Sequence, residues 1–325
     1  MGLNTEQIQP QLIQFALGFD VSKATITFFD THSGEICTLE NSKVALKAIL
    51  KPYAGRLDTL AICEATGGYE DNLLGVLEDL AIPAHRADAA RVKAFIRACG
   101  ANAKTDAIDA RHIAEYGLSR AQSLPRWRPS QPREAKIKLL VLRRTDLVSM
   151  RVQEENRLKA PRNKPIARDI AGHITEIKRR IEAIDKQIET IMSLDKRLKD
   201  RKAILQTVPG IGKVIAPVLL ALMPELGHID RKQAASLAGC APHARDSGAR
   251  KGRRFTKGGR RQLRPLLFTA AMAASQSKSH LATTYKRLLA AGKSKLTALG
   301  AIMRHIIVIA NARLKEYHIA QIRLT

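Results

Sequence analysis

The sequence predicts an α/β fold in its first part and an all-helical fold in its second part. Segments rich in β-branched and aromatic residues alternate with helix-like segments up to about residue 120. Prolines 125, 129 and 132 follow, and Pro disfavours helix at the preceding residue. Beyond them the apolar residues recur at helical spacing and no strand pattern stands out. A chain of 325 residues is long enough for two or three domains, and we expect them at 1–125, 126–203 and 204–325.

The first domain is predicted to have the element order βββαβαβα. This order predicts an α/β unit with a mixed sheet. The segment IQFALGFD is mostly apolar and ends in Asp20, and LDTLAICE is apolar and ends in Glu64. We expect strands at 13–20, 24–30, 35–39, 57–64 and 82–86, and helices at 43–51, 70–81, 88–98 and 104–120.

A proline-containing linker is predicted at residues 119–134. It contains Trp127, which we expect to pack the linker against a domain rather than to stack on a base. A long charged helix is predicted at 134–159, and Pro161 and Pro165 end it.

A narrow apolar stripe runs along the next predicted helix, at about 170–203. Its steps of three and four residues are close to the 3.5-residue spacing of a heptad repeat. The stripe predicts a coiled coil or helical hairpin, and pairing with the preceding helix or with a second subunit are both open. Its members are Ile170, Ile174, Ile177, Ile181, Ile184, Ile188, Ile191, Leu194 and Leu198.

The remaining residues predict a helical domain. The PGIG segment at 209–212 separates two helices, and it is typical either of a tight interhelical turn or of a helix-hairpin-helix turn that binds a DNA phosphate. Further helices are expected at 231–239, 260–278, 281–291 and 294–316.

The positive charge of the chain is unevenly distributed. Residues 1–125 contain 12 basic and 15 acidic side chains, a net charge of −3, so the remaining residues contribute +28 to the total of +25. A polybasic region of this kind indicates a polyanionic partner, most simply nucleic acid.

Composition excludes several classes of protein. Hydrophobic residues make up 45% of the chain, which excludes global disorder. We expect no membrane span, since the longest apolar candidate, at 296–312, is interrupted by Arg304 and His305. No secretory signal is expected, and four widely spaced cysteines argue against a zinc ribbon or a disulfide scaffold. These features favour the reducing cytosol.

Four acidic residues from separate segments are candidates for one metal site. Asp20 and Glu64 end predicted strands, where sites of open α/β sheets collect. Asp106 and Asp109 are three residues apart on one face of a predicted helix. Carboxylate oxygens are ligands that Mg²⁺ prefers, and a pair of such ions can stabilise both reacting oxygens of a phosphodiester. Taken singly, the acids have structural alternatives. Asp20 fits a turn residue and Glu64 a loop cap. Asp106 fits an N-terminal helix cap, and Asp109 a first-turn acid that the helix dipole favours.

Five sequence segments resemble the DEDD-type insertion-sequence transposases. They are GFDVSK at 18–23, CEATGGY at 63–69, AKTDAIDAR at 103–111, TVPGIG at 207–212, and the serine-glycine pair of ARDSGARKGRRFTKGG. They occur in the family's order over nearly the whole chain, and the KTDxxDA block is the most specific of them.

The resemblance implies a fold and a set of active-site residues. It implies a RuvC-like, RNase H-like first domain, central coiled-coil helices and a C-terminal transposase domain with an essential serine. The family's acidic residues match Asp20, Glu64, Asp106 and Asp109, which would bind Mg²⁺ or Mn²⁺, and its nucleophile matches Ser247.

The resemblance also implies partners. Recombination in the family is guided by a noncoding bridge RNA, which pairs with target and donor double-stranded DNA. The recombinase assembles as dimers and tetramers, in which the carboxylates of one subunit meet the serine domain of another. The protein would work in the bacterial cytosol.

A run of basic residues surrounds Ser247. Residues 245–264 contain nine basic side chains and one acid, which favours binding to a phosphate backbone. Serine alone is a poor nucleophile, and His243 is a speculative base for it. The candidate nucleic-acid contacts are Lys104, Arg111, Arg245, Arg250, Lys251, Arg253, Arg254, Lys257, Arg260 and Arg261.

Two other functions remain open. One is a RuvC-like, metal-dependent endonuclease or Holliday-junction resolvase, which would use water as its nucleophile and leave Ser247 unimportant. The other is an RNA-binding structural protein, in which the four acids are ordinary surface charges.

Overall fold

The computed structural model describes residues 12–100, 105–129, 131–244, 252 and 254–324. The chain divides into two compact units, Met1–Ser130 and Gln131–Thr325. The three-domain division expected from the sequence stays a prediction.

The first unit contains a mixed five-stranded sheet, as the sequence predicts. Its strand order is β3-β2-β1-β4-β5, with β1, β2 and β3 antiparallel and β1, β4 and β5 parallel. The strands are β1 (Phe15–Val21), β2 (Thr25–Asp30), β3 (Ile36–Glu40), β4 (Thr59–Glu64) and β5 (Ala84–Ala87).

Helices cover both faces of this sheet. Alternate residues of a strand point to opposite faces, so Leu17 and Phe19 pack with α1 and α2 whereas Ala16 and Leu60 pack with α3 and α4. A single 3₁₀ turn at Lys51–Tyr53 follows α1. The helices are α1 (Lys43–Leu50), α2 (Asp71–Asp79), α3 (Ala89–Ala98) and α4 (Asp106–Arg120).

The proline-containing linker packs on the first unit at β5. The amide of Trp127 donates a hydrogen bond to the carbonyl of Ala84 at 2.7 Å. His85 Nδ1 lies 2.8 Å from the carbonyl of Pro125, so this nitrogen carries the donated proton. The Trp127 ring is partly buried against the sheet core. The prediction that Trp127 packs the linker against a domain is confirmed.

The second unit is mainly helical. Its helices are α5 (Pro132–Lys159), α6 (Ala167–Ser193), α7 (Lys196–Gln206), α8 (Ile215–Leu222), α9 (Arg231–Leu237), α10 (Leu263–Gln276), α11 (His280–Ala290) and α12 (Lys295–Leu324). A 3₁₀ segment at Pro161–Ile166 separates α5 from α6, where the prolines predict a break.

The prediction of one continuous helix at 170–203 is wrong, because this region contains the two helices α6 and α7. Asp195 caps α7 by accepting a hydrogen bond from the Leu198 amide at 3.1 Å. Leu194, although in step with the apolar stripe, is 66% exposed at this junction. A local N-cap therefore ends a pattern that spacing alone continues.

The apolar stripe of α6 packs against the preceding helix. Ile177 and Ile181 are buried in a cluster with Leu147 of α5. Arg144 of α5 donates two hydrogen bonds to the Asp185 carboxylate of α6, at 2.6 and 3.1 Å. The helical-hairpin alternative thus accounts for the stripe, and pairing with a second subunit stays a prediction.

A short antiparallel strand pair interrupts the helices. It consists of β6 (Pro242–His243) and β7 (Phe255–Thr256), so the expectation that this part of the chain has no strands is wrong. Two-residue strands are too short to produce an alternating sequence pattern, which explains why none was visible.

The expectation that no segment is long and apolar enough to span a membrane is wrong for helix α12. Residues Lys295–Arg323 are long and apolar enough to cross a membrane by length and composition alone. Ile302, Ile306, Ala310 and Leu314 of this helix are completely buried in the second unit. Burial of one helix face in a protein core explains the apolar composition.

Candidate functional site

Asp20 and Glu64 lie side by side at the ends of two parallel strands. Phe19 of β1 is paired with Cys63 of β4, so the next residue of each strand is the corresponding acid. Both acids are partly buried. The predicted convergence of these two strand ends is therefore present.

Both acids project from the sheet face that α4 covers. A Cβ on Gly18 would lie 2.1 Å from the carbonyl oxygen of Ala110 in α4, and a Cβ on Gly117 of α4 would lie 2.1 Å from the Ile62 side chain. Asp20 is two residues after Gly18, and Glu64 is two residues after Ile62. Because side chains two residues apart share a face, both carboxylates are on the α4 side.

Helix α4 contributes the other two acids from its first turn. Thr105 caps the helix by accepting a hydrogen bond from the Ile108 amide at 3.2 Å. Asp109 is partly buried immediately before the buried Ala110, whereas Asp106 is exposed at the first helical position. The close contact of Ala110 with Gly18 thus brings the start of α4 to the strand that carries Asp20.

Glu64 lies within electrostatic reach of two of the other candidate acids. Burial raises the pKa of Glu64; Lys93 opposes this rise, and the charges of Asp20, Asp109 and Asp88 add to it. We call Asp20, Glu64 and Asp109 the acidic cluster; Asp106 is exposed three residues before Asp109 on the same helix. Within the described residues, no three Asp, Glu, His or Cys side chains form a ready-made set of metal ligands.

Glu70 organises the loop after Glu64, a role that sequence reasoning missed. Its Oε2 accepts hydrogen bonds from the Thr66 amide at 3.1 Å, the Thr66 hydroxyl at 2.7 Å and the Gly68 amide at 2.8 Å. Arg86 of β5 lies 3.5 Å from the other carboxylate oxygen, and the Glu70 side chain is only 2% exposed. The sequence signal for this role is the position of Glu70, an acid that follows the Thr-Gly-Gly turn after two residues.

The serine segment, which we define as residues 245–253, lies largely outside the described residues. Ser247 and the basic residues Lys104, Arg245, Arg250, Lys251 and Arg253 are among the residues that the structure does not describe. Their predicted roles are therefore not tested by the geometry.

Paired strands and glycines fix both ends of the serine segment. His243 pairs with Phe255, and a Cβ on Gly259 would lie 2.2 Å from the Gly239 nitrogen. The speculative base His243 places Nε2 at 3.2 Å from the Lys257 carbonyl. Since a carbonyl only accepts, Nε2 is the donor in this contact.

The described basic candidates differ in whether their charged groups are exposed and able to contact a nucleic acid. Arg254, Lys257 and Arg261 are exposed. The guanidinium of Arg260 instead donates to the Glu225 carboxylate, with one contact of 2.8 Å, and to the Leu222 carbonyl. In the first unit, exposed Arg111 has its guanidinium carbon 5.1 Å from the centre of the Phe29 ring. Arg260 therefore has a structural partner, whereas the exposed cations can reach a phosphate.

The PGIG segment is a close-packed turn between α7 and α8. Gly210 has φ of +90°, and a Cβ there would lie 2.2 Å from the Ala270 carbonyl oxygen of α10. Val208 and Ile211 are buried in the helical core. The interhelical-turn alternative accounts for this segment, and phosphate binding by it stays untested.

The chain matches two models of one transposase family and several named proteins. Residues 17–161 match a transposase model of the DEDD type of IS110, and residues 202–286 match a model described as the IS116/IS110/IS902 transposase family. The pilin gene-inverting proteins of Moraxella lacunata and Moraxella bovis are each 28% identical over 316 residues, covering 92% of this chain and 95% of each relative.

An insertion-element protein is also similar over a shorter region. The uncharacterized 43.6 kDa protein of insertion element IS110 from Streptomyces coelicolor is 29% identical over 154 residues, which cover 45% of this chain and 36% of that protein. The acidic cluster lies within the first matched region, and the strand pair that flanks Ser247 lies within the second. The chain therefore belongs to the IS116/IS110/IS902 transposase family and is an enzyme that acts on DNA.

Proposed function

We propose that the protein is the site-specific recombinase of a mobile insertion element, guided by a bridge RNA. It cuts and rejoins donor and target DNA through Ser247, assisted by divalent cations. The observation that carries this proposal is the position of Asp20 and Glu64 at neighbouring strand ends, on the sheet face that is covered by α4, the helix that begins with Asp106 and Asp109. Such a cluster suits phosphodiester chemistry and has no comparable use in a purely structural RNA-binding protein.

The acidic cluster suits Mg²⁺ or Mn²⁺. Its donors are carboxylate oxygens, and the pKa of Glu64 is raised by burial and by the neighbouring carboxylates, a repulsion that a divalent cation would relieve. Asp20, Glu64, Asp106 and Asp109 would hold the ion or ions. When bound, the metal would neutralise negative charge that develops at the scissile phosphate.

The strand order supports an RNase H-like, RuvC-like first domain. Three antiparallel strands continue into two parallel strands, in the order β3-β2-β1-β4-β5, with helices on both faces. The hairpin of α5 and α6 would serve as the coiled-coil part of the recombinase. The helices and strand pair that follow would form the serine-bearing transposase domain.

The serine step conserves the number of phosphate ester bonds. Ser247 Oγ loses its proton and attacks the DNA phosphorus, forming a phosphoserine bond while the bond between phosphorus and the 3′ oxygen breaks. The departing 3′ oxygen takes up a proton and becomes a 3′-hydroxyl. A 3′-hydroxyl then attacks the phosphoserine linkage of the other DNA, and the serine oxygen leaves and is reprotonated. No nucleotide triphosphate is consumed, because each broken bond is replaced by an equivalent bond.

The basic part of the chain would bind the bridge RNA and the two DNAs. It carries the whole positive excess, and Arg254, Lys257 and Arg261 are exposed near the serine segment. We further propose assembly into dimers and a tetramer, with the carboxylates and the serine of each site supplied by different subunits. The relatives named for pilin gene inversion support rejoining of DNA rather than simple cleavage. The setting would be the bacterial cytosol.

The nucleophile is tested by trapping a covalent intermediate. Purified protein is mixed with bridge RNA, Mg²⁺ and labelled donor DNA, and denaturing gels are used to find protein–DNA adducts. We expect adducts and recombinant product with the wild type and with Ser236→Ala, a matched change at an exposed serine of α9. Ser247→Ala should form neither. Undiminished cleavage by Ser247→Ala would support the water-dependent endonuclease instead.

RNA guidance is tested separately by changing the RNA. Replacing the guide segment that pairs with the target, while the protein is unchanged, should move insertion to the new complementary DNA. Unchanged insertion positions, or equal activity without RNA, would contradict guidance but leave the serine chemistry intact.

A further inference from the structure

A cleft of about 880 Å³ lies in the second unit between α9, the strand pair and α12. This volume is within the range of about 300–1,000 Å³ that is usual for sites of small organic ligands. Its walls include Arg231, Arg254, Phe255, Leu296, Arg304 and His305. The acidic cluster, in the first unit, uses none of these residues, and Arg254 is the one that is also a candidate nucleic-acid contact.

The cleft is strongly cationic. Five permanently charged side chains line it, namely Arg231, Lys232, Arg254, Arg264 and Arg304, and none of its described lining residues is acidic. Arginine matches phosphate geometry with paired donors. The charge therefore favours a ligand with more than one phosphate.

One wall of the cleft is apolar and open. Phe255 on β7 is 41% exposed, and Leu296 at the start of α12 is 71% exposed. Val308 and Ile309 extend this wall. An exposed aromatic ring beside arginines provides a surface on which a nucleobase can stack, at any sequence.

His305 adds a group that can hydrogen-bond without adding charge at neutral pH. Partial burial lowers its pKa, and the positive charges of Arg304, His280 and Arg287 lower it further. The neutral imidazole has one donor and one acceptor. The walls therefore combine cations for phosphates, an apolar surface for a base, and a polar group for its edge.

The strand pair that lines the cleft also flanks, in sequence, the segment that carries Ser247. His243 of β6 and Phe255 of β7 are paired, so the intervening residues begin and end at this strand pair. Pro242, Arg254, Phe255 and Thr256 belong to the strand pair or its immediate flank and line the cleft. A nucleic acid held here would contact residues that flank the serine segment in sequence.

We propose that this cleft binds one unpaired nucleotide of the DNA strand that is being exchanged. The base packs against Phe255 and Leu296, and the phosphates on either side contact the arginines. Removing a nucleotide from the duplex breaks its pairing and stacking, and the stacking surface of the cleft offsets this cost. The choice of DNA as the occupant rests on the proposed function, because Ser247 is assigned there to attack DNA.

The binding test uses the whole protein and a short single-stranded DNA with one 2-aminopurine, a base whose fluorescence reports stacking. Phe255→Ala and Arg304→Gln should each weaken binding of this strand, by about 5- to 150-fold for the stacking residue. Phe255→Trp should restore tight binding. Leu139→Ala and Lys43→Gln, at exposed positions of α5 and α1, are matched apolar and cationic controls and should bind as the wild type.

Three results would overturn the inference. The first is unchanged affinity of folded Phe255→Ala and Arg304→Gln for the single strand. The second is a loss of affinity for blunt duplex DNA equal to the loss for the single strand, which would show that the cleft is only a general basic surface. The third is a greater loss for RNA of the same sequence than for DNA, which would assign the cleft to RNA.

The inference and the proposed function can fail separately. If Ser247→Ala recombines normally while Phe255→Ala loses single-strand affinity, the cleft assignment stands and the serine mechanism fails. If Ser247→Ala is inactive and the cleft variants bind normally, the serine mechanism stands and the cleft assignment fails.

Discussion

Gly18 and Ala110 are in backbone contact, and this contact brings helix α4 against strand β1. A Cβ on Gly18 would lie 2.1 Å from the Ala110 carbonyl oxygen and 2.6 Å from the Ala114 nitrogen. Neither neighbour is a flexible side chain, so the helix would have to move. Because Asp20 is on β1 and Asp109 is on α4, the separation of these acids depends on the missing Cβ.

Gly18→Ala should therefore separate the acidic cluster. We expect a loss of about 1–3 kcal/mol of unfolding free energy, as is usual for overpacking, and a large loss of DNA strand exchange. Urea unfolding and recombination assays measure the two effects. Gly75→Ala is the matched control, since it lies in α2 with no atom within 4 Å of the added Cβ. It should be fully active and slightly more stable.

The Glu64 carboxyl should couple stability to pH and to divalent cations. Its pKa in the folded protein is raised, first by burial and also by Asp20 and Asp109 against the opposing Lys93. The folded state thus holds this proton more tightly than the unfolded state. Without metal, the contribution of Glu64 to stability should increase as the pH falls through its folded-state pKa.

Glu64→Gln tests this coupling. At neutral pH without metal, the variant should have a higher Tm than the wild type, although it should lose recombination. Mg²⁺ should raise the Tm of the wild type, and this rise should shrink as the pH falls and protons compete for Glu64. Glu78→Gln, an exposed change in α2, should behave as the wild type. An unchanged Mg²⁺ response in Glu64→Gln would remove Glu64 from the metal site.

Glu70 should act as a positioning residue for the loop that follows Glu64. Burial raises the pKa of Glu70, but the hydrogen bonds from Thr66 and Gly68 outweigh this effect, and its pKa is below the ordinary value of 4.5. The stabilisation from ionised Glu70 is therefore present at neutral pH and is lost as the pH falls through the lowered pKa.

Glu70→Ala leaves the Thr66 and Gly68 donors without their acceptor. It should lower the unfolding free energy by about 1–3 kcal/mol and reduce kcat for strand exchange. Glu70→Gln retains one acceptor oxygen and should restore part of the activity while losing the acid-dependent part of the stability. Equal activity of Glu70→Ala and the wild type, with only stability changed, would show that Glu70 does not position the site.

The acidic cluster could be predicted because its signals are local. An apolar strand that ends in an acid, followed by a second such strand, places Asp20 and Glu64 at one sheet edge when the strands are parallel. Three-residue spacing likewise places Asp106 and Asp109 near one another on a helix. These local signals do not predict which face of the sheet α4 covers. That depends on the close approach of α4 to Gly18, a residue without a Cβ that lies about ninety positions earlier in the chain.

Two other features do not follow from spacing or charge density alone. The heptad spacing continues through Leu194, yet the local cap by Asp195 ends the pattern. The basic run gave Arg260 the same predicted role as its neighbours, although Glu225 is its partner. Charge density alone does not separate a cation that stabilises the fold from one that can reach a ligand.

Arg260 and Arg261 should separate these two roles experimentally. Arg260 bonds to Glu225 and to the Leu222 carbonyl, whereas Arg261 is exposed. Arg260→Ala should lower the unfolding free energy by about 1 kcal/mol, because this half-exposed ion pair is partly screened by water. Arg261→Ala should leave stability unchanged, weaken DNA and RNA binding uniformly across sequences, and reduce the slope of log affinity against log salt by about one.

The decisive measurement is the affinity at several salt concentrations, with urea unfolding of the same preparations. If Arg261 contacts a phosphate, its variant loses affinity most at low salt, because one fewer counterion is released on binding. If Arg260 is only structural, its variant retains the wild-type salt slope in conditions where it is folded. A reduced slope for Arg260→Ala with unchanged stability would mean that Arg260 leaves Glu225 to bind nucleic acid. The ion pair with Glu225 would then form only in the unbound protein.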